Sequence, residues 1–162
     1  GFTDAVFDNV IIDGFSVGFS LGGGSRLSNN ITIKNSQISN NHLQGILGGA
    51  NNLSLINNQF VNNGFGGAKE SFLYHNIYLS DPSATLEPIQ QIKNVKIINN
   101  YLTQSAMDNG KCGGASLAIH GRVEDIVIKG NVVEEGLTKD VLDNPQNEYT
   151  KQLVKSAFEV VI

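Results

Sequence analysis

Three side chains in this sequence have the types and spacing for moving a proton beside a held anion: Tyr78, His120 and Arg122. Histidine takes up and releases a proton near neutral pH, which makes His120 the first choice for a base or acid. A tyrosine hydroxyl serves as its partner acid. Arginine holds a carboxylate through two parallel N–H donors, a geometry that lysine cannot reproduce. Ser80, Lys111 and Glu159 fall in the same stretches and are candidates for substrate contacts, with Lys69, Glu70, Tyr74 and His75 nearby. The plainer alternative is that Tyr78, His120 and Arg122 are ordinary surface residues. Whether any of these groups meet depends on the elements that carry them.

Those elements are written in a repeat. Asn30 to Asn41 (NITIKNSQISNN) returns as Asn52 to Asn63 (NLSLINNQFVNN), Asn94 to Ser105 (NVKIINNYLTQS) and Asp125 to Gly136 (DIVIKGNVVEEG), with a fainter copy from Asn9 (NVIIDGF). Aligned on their first residues, the copies place Val10, Ile31, Leu53, Val95 and Ile126 in one column and Ile12, Ile33, Leu55, Ile97 and Ile128 in another, two residues on. A period of two with β-branched residues is a short strand with one buried face. Gly14, Asn35, Asn57, Asn99 and Gly130 follow, residue types that accept a left-handed backbone, so the strand bends there. Ser36, Asn58, Asn100 and Asn131 stand beside the bend, where their side chains can bond the copies above and below. Val17, Ile38, Phe60, Leu102 and Val133 then open a second inward strand.

The copies start 21, 22, 42 and 31 residues apart, so one unit takes about 22 residues and two units carry insertions. A period in this range is the mark of a solenoid, whose units bury their apolar faces only against their neighbours. The repeat resembles the right-handed parallel β-helix of pectate-lyase-like proteins over nearly the whole chain. The expected fold is therefore all-β, a right-handed parallel β-helix of about five rungs with loop insertions, forming a single domain over residues 1–162. Third strands are predicted at Val17 to Leu21, Gln44 to Leu47, Asn76 to Leu79, Ser116 to Ile119 and Phe158 to Val161. That phase puts Tyr78, Ala118 and Glu159 in one outward column and Ser80 and His120 in the next.

The resemblance also implies a chemistry. Enzymes of this fold cleave or epimerise acidic polysaccharides along an outer sheet, by abstracting a proton next to a carboxylate, which requires a base and a cation for the resulting enolate. His120, Tyr78 and Arg122 match those roles. The motifs of polygalacturonases and alginate epimerases are missing, however, and so is the acidic calcium cluster of pectate lyases. Two readings stay open: a lyase or related enzyme acting on acidic polysaccharide, and a non-catalytic β-helix that binds glycans or serves as a structural or adhesive surface protein. Either implies an extracellular or cell-surface location.

Composition narrows the partners. A net charge of −4 leaves no basic stripe to follow a phosphate backbone, so nucleic acid is not expected. No apolar run approaches the roughly 18 residues of a membrane span. Twenty Asn and 18 Gly against three Pro and no Trp favour tight turns over helices. Cys112 is alone, which excludes an intrachain disulfide. No cofactor or metal is expected, Asp81 and Glu87 being a weak basis for a calcium site.

Local expectations complete the reading. Gly22, Gly23 and Gly24 form a flexible corner, and irregular insertions cover Gly64 to Tyr74, Asp81 to Lys93, Met107 to Gly114 and Leu137 to Lys155, with about two helical turns from Asn147 to Lys155. His75 is expected to be buried and hydrogen-bonded, and His42 to face solvent. The sequons at Asn30 and Asn52 fall where the repeat already explains an asparagine. The first copy starts close to residue 1, and Phe158, Val160 and Ile162 read as a strand with nothing after it. Natural solenoids cap their ends. The chain is accordingly expected to be a segment of a longer protein, its ends pairing with the rest of that chain or with another copy.

Overall fold

The computed structural model describes residues 1–23, 26–65, 74–81, 91–103, 105–108, 111–132, 144–145, 150–152 and 155, with the backbone alone at 23, 26, 105–108 and 111–114. The described fold is all-β, apart from helical residues at 150–152 and 155. The chain repeats one circuit of three strands. The first is β1 (Thr3–Asp8), β2 (Ile11–Asp13) and β3 (Val17–Gly23); the second is β4 (Arg26–Lys34), β5 (Gln37–Ser39) and β6 (Gln44–Gly48). The third is β7 (Ala50–Ile56), β8 (Gln59–Val61) and β9 (Ile77–Ser80). The fourth is β10 (Ile92–Ile98) and β11 (Tyr101–Leu102), then a hairpin of β12 (Ser105–Asp108) and β13 (Lys111–Gly114), then β14 (Leu117–His120). β15 (Val123–Lys129) opens the next circuit.

Equivalent strands of successive circuits pair in parallel: β1, β4, β7, β10 and β15 in one set, β2, β5, β8 and β11 in a second, β3, β6, β9 and β14 in a third. An antiparallel contact of β3 with β4 joins the first and third sets into one mixed nine-stranded sheet. The core lies between the sets. Ile31, Leu53 and Val95 stack in one column and Ile33, Leu55 and Ile97 in the next, all with no exposed surface. Ile38, Phe60 and Leu102 continue the core past the bend.

The register corrects the sequence alignment in its first copy. Ala5 pairs with Ile31 and Phe7 with Ile33, so the first strand of the first circuit is Thr3–Asp8, and Ile12 stacks on Ile38 rather than on Ile33. Gly14 likewise lies beside Asn40, its N–H bonding the Ser39 carbonyl at 3.2 Å. Asn9 takes the bend position next to Asn35. The segment NVIIDGF looks more like the other copies than DAVFDNV does, but the chain supplies an aromatic column partner in Phe7, which packs edge-on against Phe19 at 4.9 Å.

Three sites in the circuit force the backbone to positive φ. Asp4, Asn30, Asn52, Asn94 and Asp125 occupy the first, Asn9, Asn35, Asn57 and Asn99 the second, Asn40 and Asn62 the third. Every non-glycine residue with positive φ among those described is Asn or Asp, the types whose short polar side chains tolerate the left-handed region. On the outer surface these residues bond along the stack: Asn52 donates to Asn30 at 2.8 Å, Asn30 to Asp4 at 2.7 Å and Asn94 to Asn52 at 3.0 Å. Both sequon asparagines therefore serve this ladder.

Beside the second bend the side chains turn inward. The backbone N–H of Ser36 donates to Asn58 Oδ1 at 3.0 Å, that of Asn58 to Asn100 Oδ1 at 2.9 Å, and that of Asn100 to Asn131 Oδ1 at 2.8 Å. The Nδ2 groups of Asn58, Asn100 and Asn131 reach the carbonyls of Ile33, Leu55 and Ile97 at 2.8 to 2.9 Å. One side chain thus satisfies an N–H and a carbonyl that the bend has taken out of the sheet. A second inward ladder runs through Asn41, Asn63 and Asn76.

Two expected irregular regions are ordered strands. Gly22 and Gly23, expected in a flexible corner, pair antiparallel with Leu27 and Arg26. Met107 to Gly114, expected as an irregular insertion, falls for its described residues in β12 and β13, which pair antiparallel. The insertion segments 66–73, 82–90 and 133–143, the last predicted strand with Phe158, Val160 and Ile162, and Lys69, Glu70 and Glu87 lie outside the described residues.

The strand phase and the ladder each predict a stability result, measured by denaturant or thermal unfolding. Ile97→Asp buries an unpaired carboxylate and should abolish folding, while Lys96→Asp on the exposed face should change stability by about 0.5 kcal/mol or less. Asn58→Ala strands the Ser36 N–H and the Ile33 carbonyl and should cost several kcal/mol, at about 1–3 kcal/mol for each. Asn57→Gly, one residue earlier and exposed, should be close to silent because glycine accepts the same φ.

Candidate functional site

Strands β9 and β14 carry Tyr78, Ser80 and His120, and β9 alternates in burial. Ile77 and Leu79 are fully buried and Tyr78 and Ser80 half-buried between them, the pattern of a strand with one face on the core. The parallel register is Ile77 with Leu117, Tyr78 with Ala118, Leu79 with Ile119 and Ser80 with His120. Tyr78 and Ser80 therefore share the outward parity with Ala118 and His120. His120 is exposed at the end of its strand, directly beside Ser80.

The chain just beyond both strands is held by one carboxylate. Asp81 accepts from Arg122 Nε at 2.9 Å and from the Arg122 backbone N–H at 3.2 Å. Its own N–H donates to the His120 carbonyl at 3.4 Å, and the Arg122 carbonyl accepts from the Ile92 N–H at 3.0 Å. Gly121 lies between His120 and Arg122 at φ +93°, and a Cβ there would collide with Asp81 Oδ1. Glycine is required twice over, for the backbone angle and for room. The Asp81 carboxylate is 10% exposed and the Arg122 side chain 34%. The hydrogen bond from the Arg122 side chain, against a smaller opposing effect of burial, holds the Asp81 carboxyl below the ordinary aspartate range, with help from the Arg122 N–H and the nearby His120.

Tyr78 has a different companion. Its ring stacks on His75, with centroids 5.3 Å apart and an interplanar angle of 12°. His75 is buried, and its Nδ1 lies 2.8 Å from the Ala115 carbonyl, which can only accept, so Nδ1 carries the proton. Burial pushes the His75 pKa down, partly offset by that hydrogen bond. The imidazole is thus a neutral structural brace between β9 and the segment before β14. His42 is exposed and packs edge-on against Phe65 at 5.6 Å.

The structure brings Ser80, His120, Asp81 and Arg122 to one corner, and it stacks the Tyr78 ring on His75. Arg122 spends its Nε on Asp81, so its charge is already countered before any ligand arrives. Lys111 lies in β13, its side chain outside the described residues, and Glu159 lies outside them altogether. Among the described residues no three His, Cys, Asp or Glu side chains converge as metal ligands. Sequence reasoning missed Asp81 as the partner of Arg122. The available signal was positional: Asp81 follows β9 as Gly121 follows β14, so the carboxylate falls one step from Arg122 in the stack.

The pair predicts a pH dependence. Because the folded pKa of Asp81 is depressed, its contribution to stability is complete above the ordinary aspartate value and is lost as pH falls through the folded value. Asp81→Asn should therefore lower stability by about 1 kcal/mol at neutral pH, and the difference from the unsubstituted protein should shrink once the pH drops below about 4. In an Arg122→Ala background the same substitution should have little effect at either pH.

No protein-family model, no curated protein and no solved structure matches this chain.

Proposed function

We propose that this chain is a right-handed parallel β-helix of the pectate-lyase-like kind, and that it acts on acidic polysaccharide outside the cell, as a lyase or related enzyme, along the outer face of β9 and β14. The observation that carries the reading is the exposed His120 at the end of β14, in register with Ser80 and on the same outward parity as Tyr78. A base so placed takes the proton next to a uronate carboxylate, and the electron pair released forms a carbon–carbon double bond as the glycosidic oxygen leaves with a proton from an acid such as Tyr78. Parallel stacking of the circuits with their bends in columns supports the helix assignment.

A second reading is a non-catalytic β-helix that binds glycans or forms part of a surface or adhesive structure. The Asp81–Arg122 pair favours it, since a cation already neutralised by a carboxylate stabilises an enolate poorly. Both readings take polysaccharide as the partner.

Incubation with a panel of uronic-acid polymers, followed by ultraviolet absorbance of the unsaturated product, separates the two. Cleavage is expected, with a loss of about 100-fold or more in His120→Ala at an unchanged melting temperature. Undiminished cleavage in that variant would remove His120 from the chemistry, and polymer binding without cleavage would establish the second reading.

A further inference from the structure

On another side of the molecule, the bend between the first and second strand sets forms a groove along the stack, with room for about 350 Å³ of solvent. A volume of that size lies within the range of small-ligand clefts. One wall is Asn9, Asn35 and Asn57, the other Ile11, Gln37 and Gln59, and all six side chains are exposed. Each wall is a column with one residue from each of three successive circuits: Ile11 pairs with Gln37 and Gln37 with Gln59, while the asparagines hold the second bend. Tyr101 extends the glutamine wall into the fourth circuit, in register with Gln59.

The floor of the groove is already satisfied. The Val10 and Ser36 carbonyls accept from the N–H groups of Gln37 and Gln59 at 2.9 Å, and the Val10 N–H donates to Ser36 Oγ at 3.1 Å. Polar recognition therefore falls to the wall amides. Asn35, Asn57 and Gln37 each spend one amide N–H, on Asp8, Asn35 Oδ1 and Ser39 Oγ, which leaves a second N–H and oxygen lone pairs on the walls for a hydroxyl group, itself donor and acceptor. Parallel strands repeat about every 4.8 Å, a step comparable to one sugar unit of an extended chain. Ile11 and Tyr101 supply apolar surface for the C–H faces of sugar rings.

We propose that this groove binds a linear, uncharged polysaccharide lying along the stack, with successive sugar units on successive circuits. No cation lines it to hold a uronate. Asp8, which accepts from Asn35 at 2.8 Å and pairs with Lys34 at 3.1 Å, stands beside the asparagine wall as a carboxylate. Hydrogen bonds from Asn35 and Lys34 lower the pKa of that carboxyl from its ordinary value. The site is distinct from the β9–β14 face and does not rest on that face being catalytic.

The test is calorimetric titration of the whole chain with cellohexaose, xylohexaose, mannohexaose and hexagalacturonate, repeated on the Gln37→Ala/Gln59→Ala double variant and on His120→Ala. At least one uncharged hexasaccharide should bind, the double variant should weaken it about tenfold or more at an unchanged melting temperature, and His120→Ala should leave it within about twofold. Absence of binding by all three uncharged sugars, or binding that the double variant does not weaken, would overturn the proposal. So would hexagalacturonate being the ligand that the double variant loses. Cleavage of uronate polymers is read separately, so either site can fail while the other stands.

Discussion

The fold depends on buried asparagine side chains that replace the backbone partners lost at each bend. A β-strand can turn a right angle only by pointing some N–H and C=O groups away from the ladder, and inside a narrow core no water reaches them. Asn58, Asn100 and Asn131 answer this with one amide each, the Oδ1 taking a backbone N–H and the Nδ2 giving to a carbonyl. Because each amide also touches the next, the interaction runs along the stack and ties circuit to circuit. The apolar columns supply most of the burial energy, but burial is non-directional and excludes only those slips that change the face of the strand. The amide ladders fix the register.

The same arrangement explains why insertions are accepted. A circuit needs only its strands and bends in register, so the chain can leave between β8 and β9 or between β11 and β14 and return to the same column. The β12–β13 hairpin departs after Thr103, and β14 still lies in register with β9. Asp81 and Arg122 secure one such return. Their ion pair joins the end of β9 to the turn between β14 and β15, and Gly121 makes room for it.

A stack of this kind presents two outer surfaces of different character. At the β9–β14 corner the groups are titratable and few. Along the Asn and Gln groove they are uncharged and periodic. The difference follows from position in the circuit: bend columns repeat at every turn of the chain, whereas His120, Asp81 and Arg122 lie beside insertions and occur once.

Sequence alone determined the strand phase of the regular copies, the bend at Asn35, Asn57 and Asn99 and the asparagine ladder beside it, because each is a periodic choice of residue type imposed by local backbone geometry and repeated in several copies. Ile31, Leu53 and Val95, or Ser36, Asn58, Asn100 and Asn131, can be aligned without coordinates. The buried state of His75 followed from its parity next to Ile77. Tertiary structure decided what the repeat does not encode. It moved the first circuit's opening strand to Thr3–Asp8, where Ala5 and Phe7 stand in register with Ile31 and Ile33. It put the two glycine-bearing stretches into antiparallel pairing, since strand partners three to nine residues away outweigh the flexibility of glycine. It gave Arg122 to Asp81 and Tyr78 to His75, contacts between residues 41 and three positions apart that depend on which groups the folded corner leaves within reach. Non-repeated side chains have no column to declare their partners, so only the closed circuit could assign them.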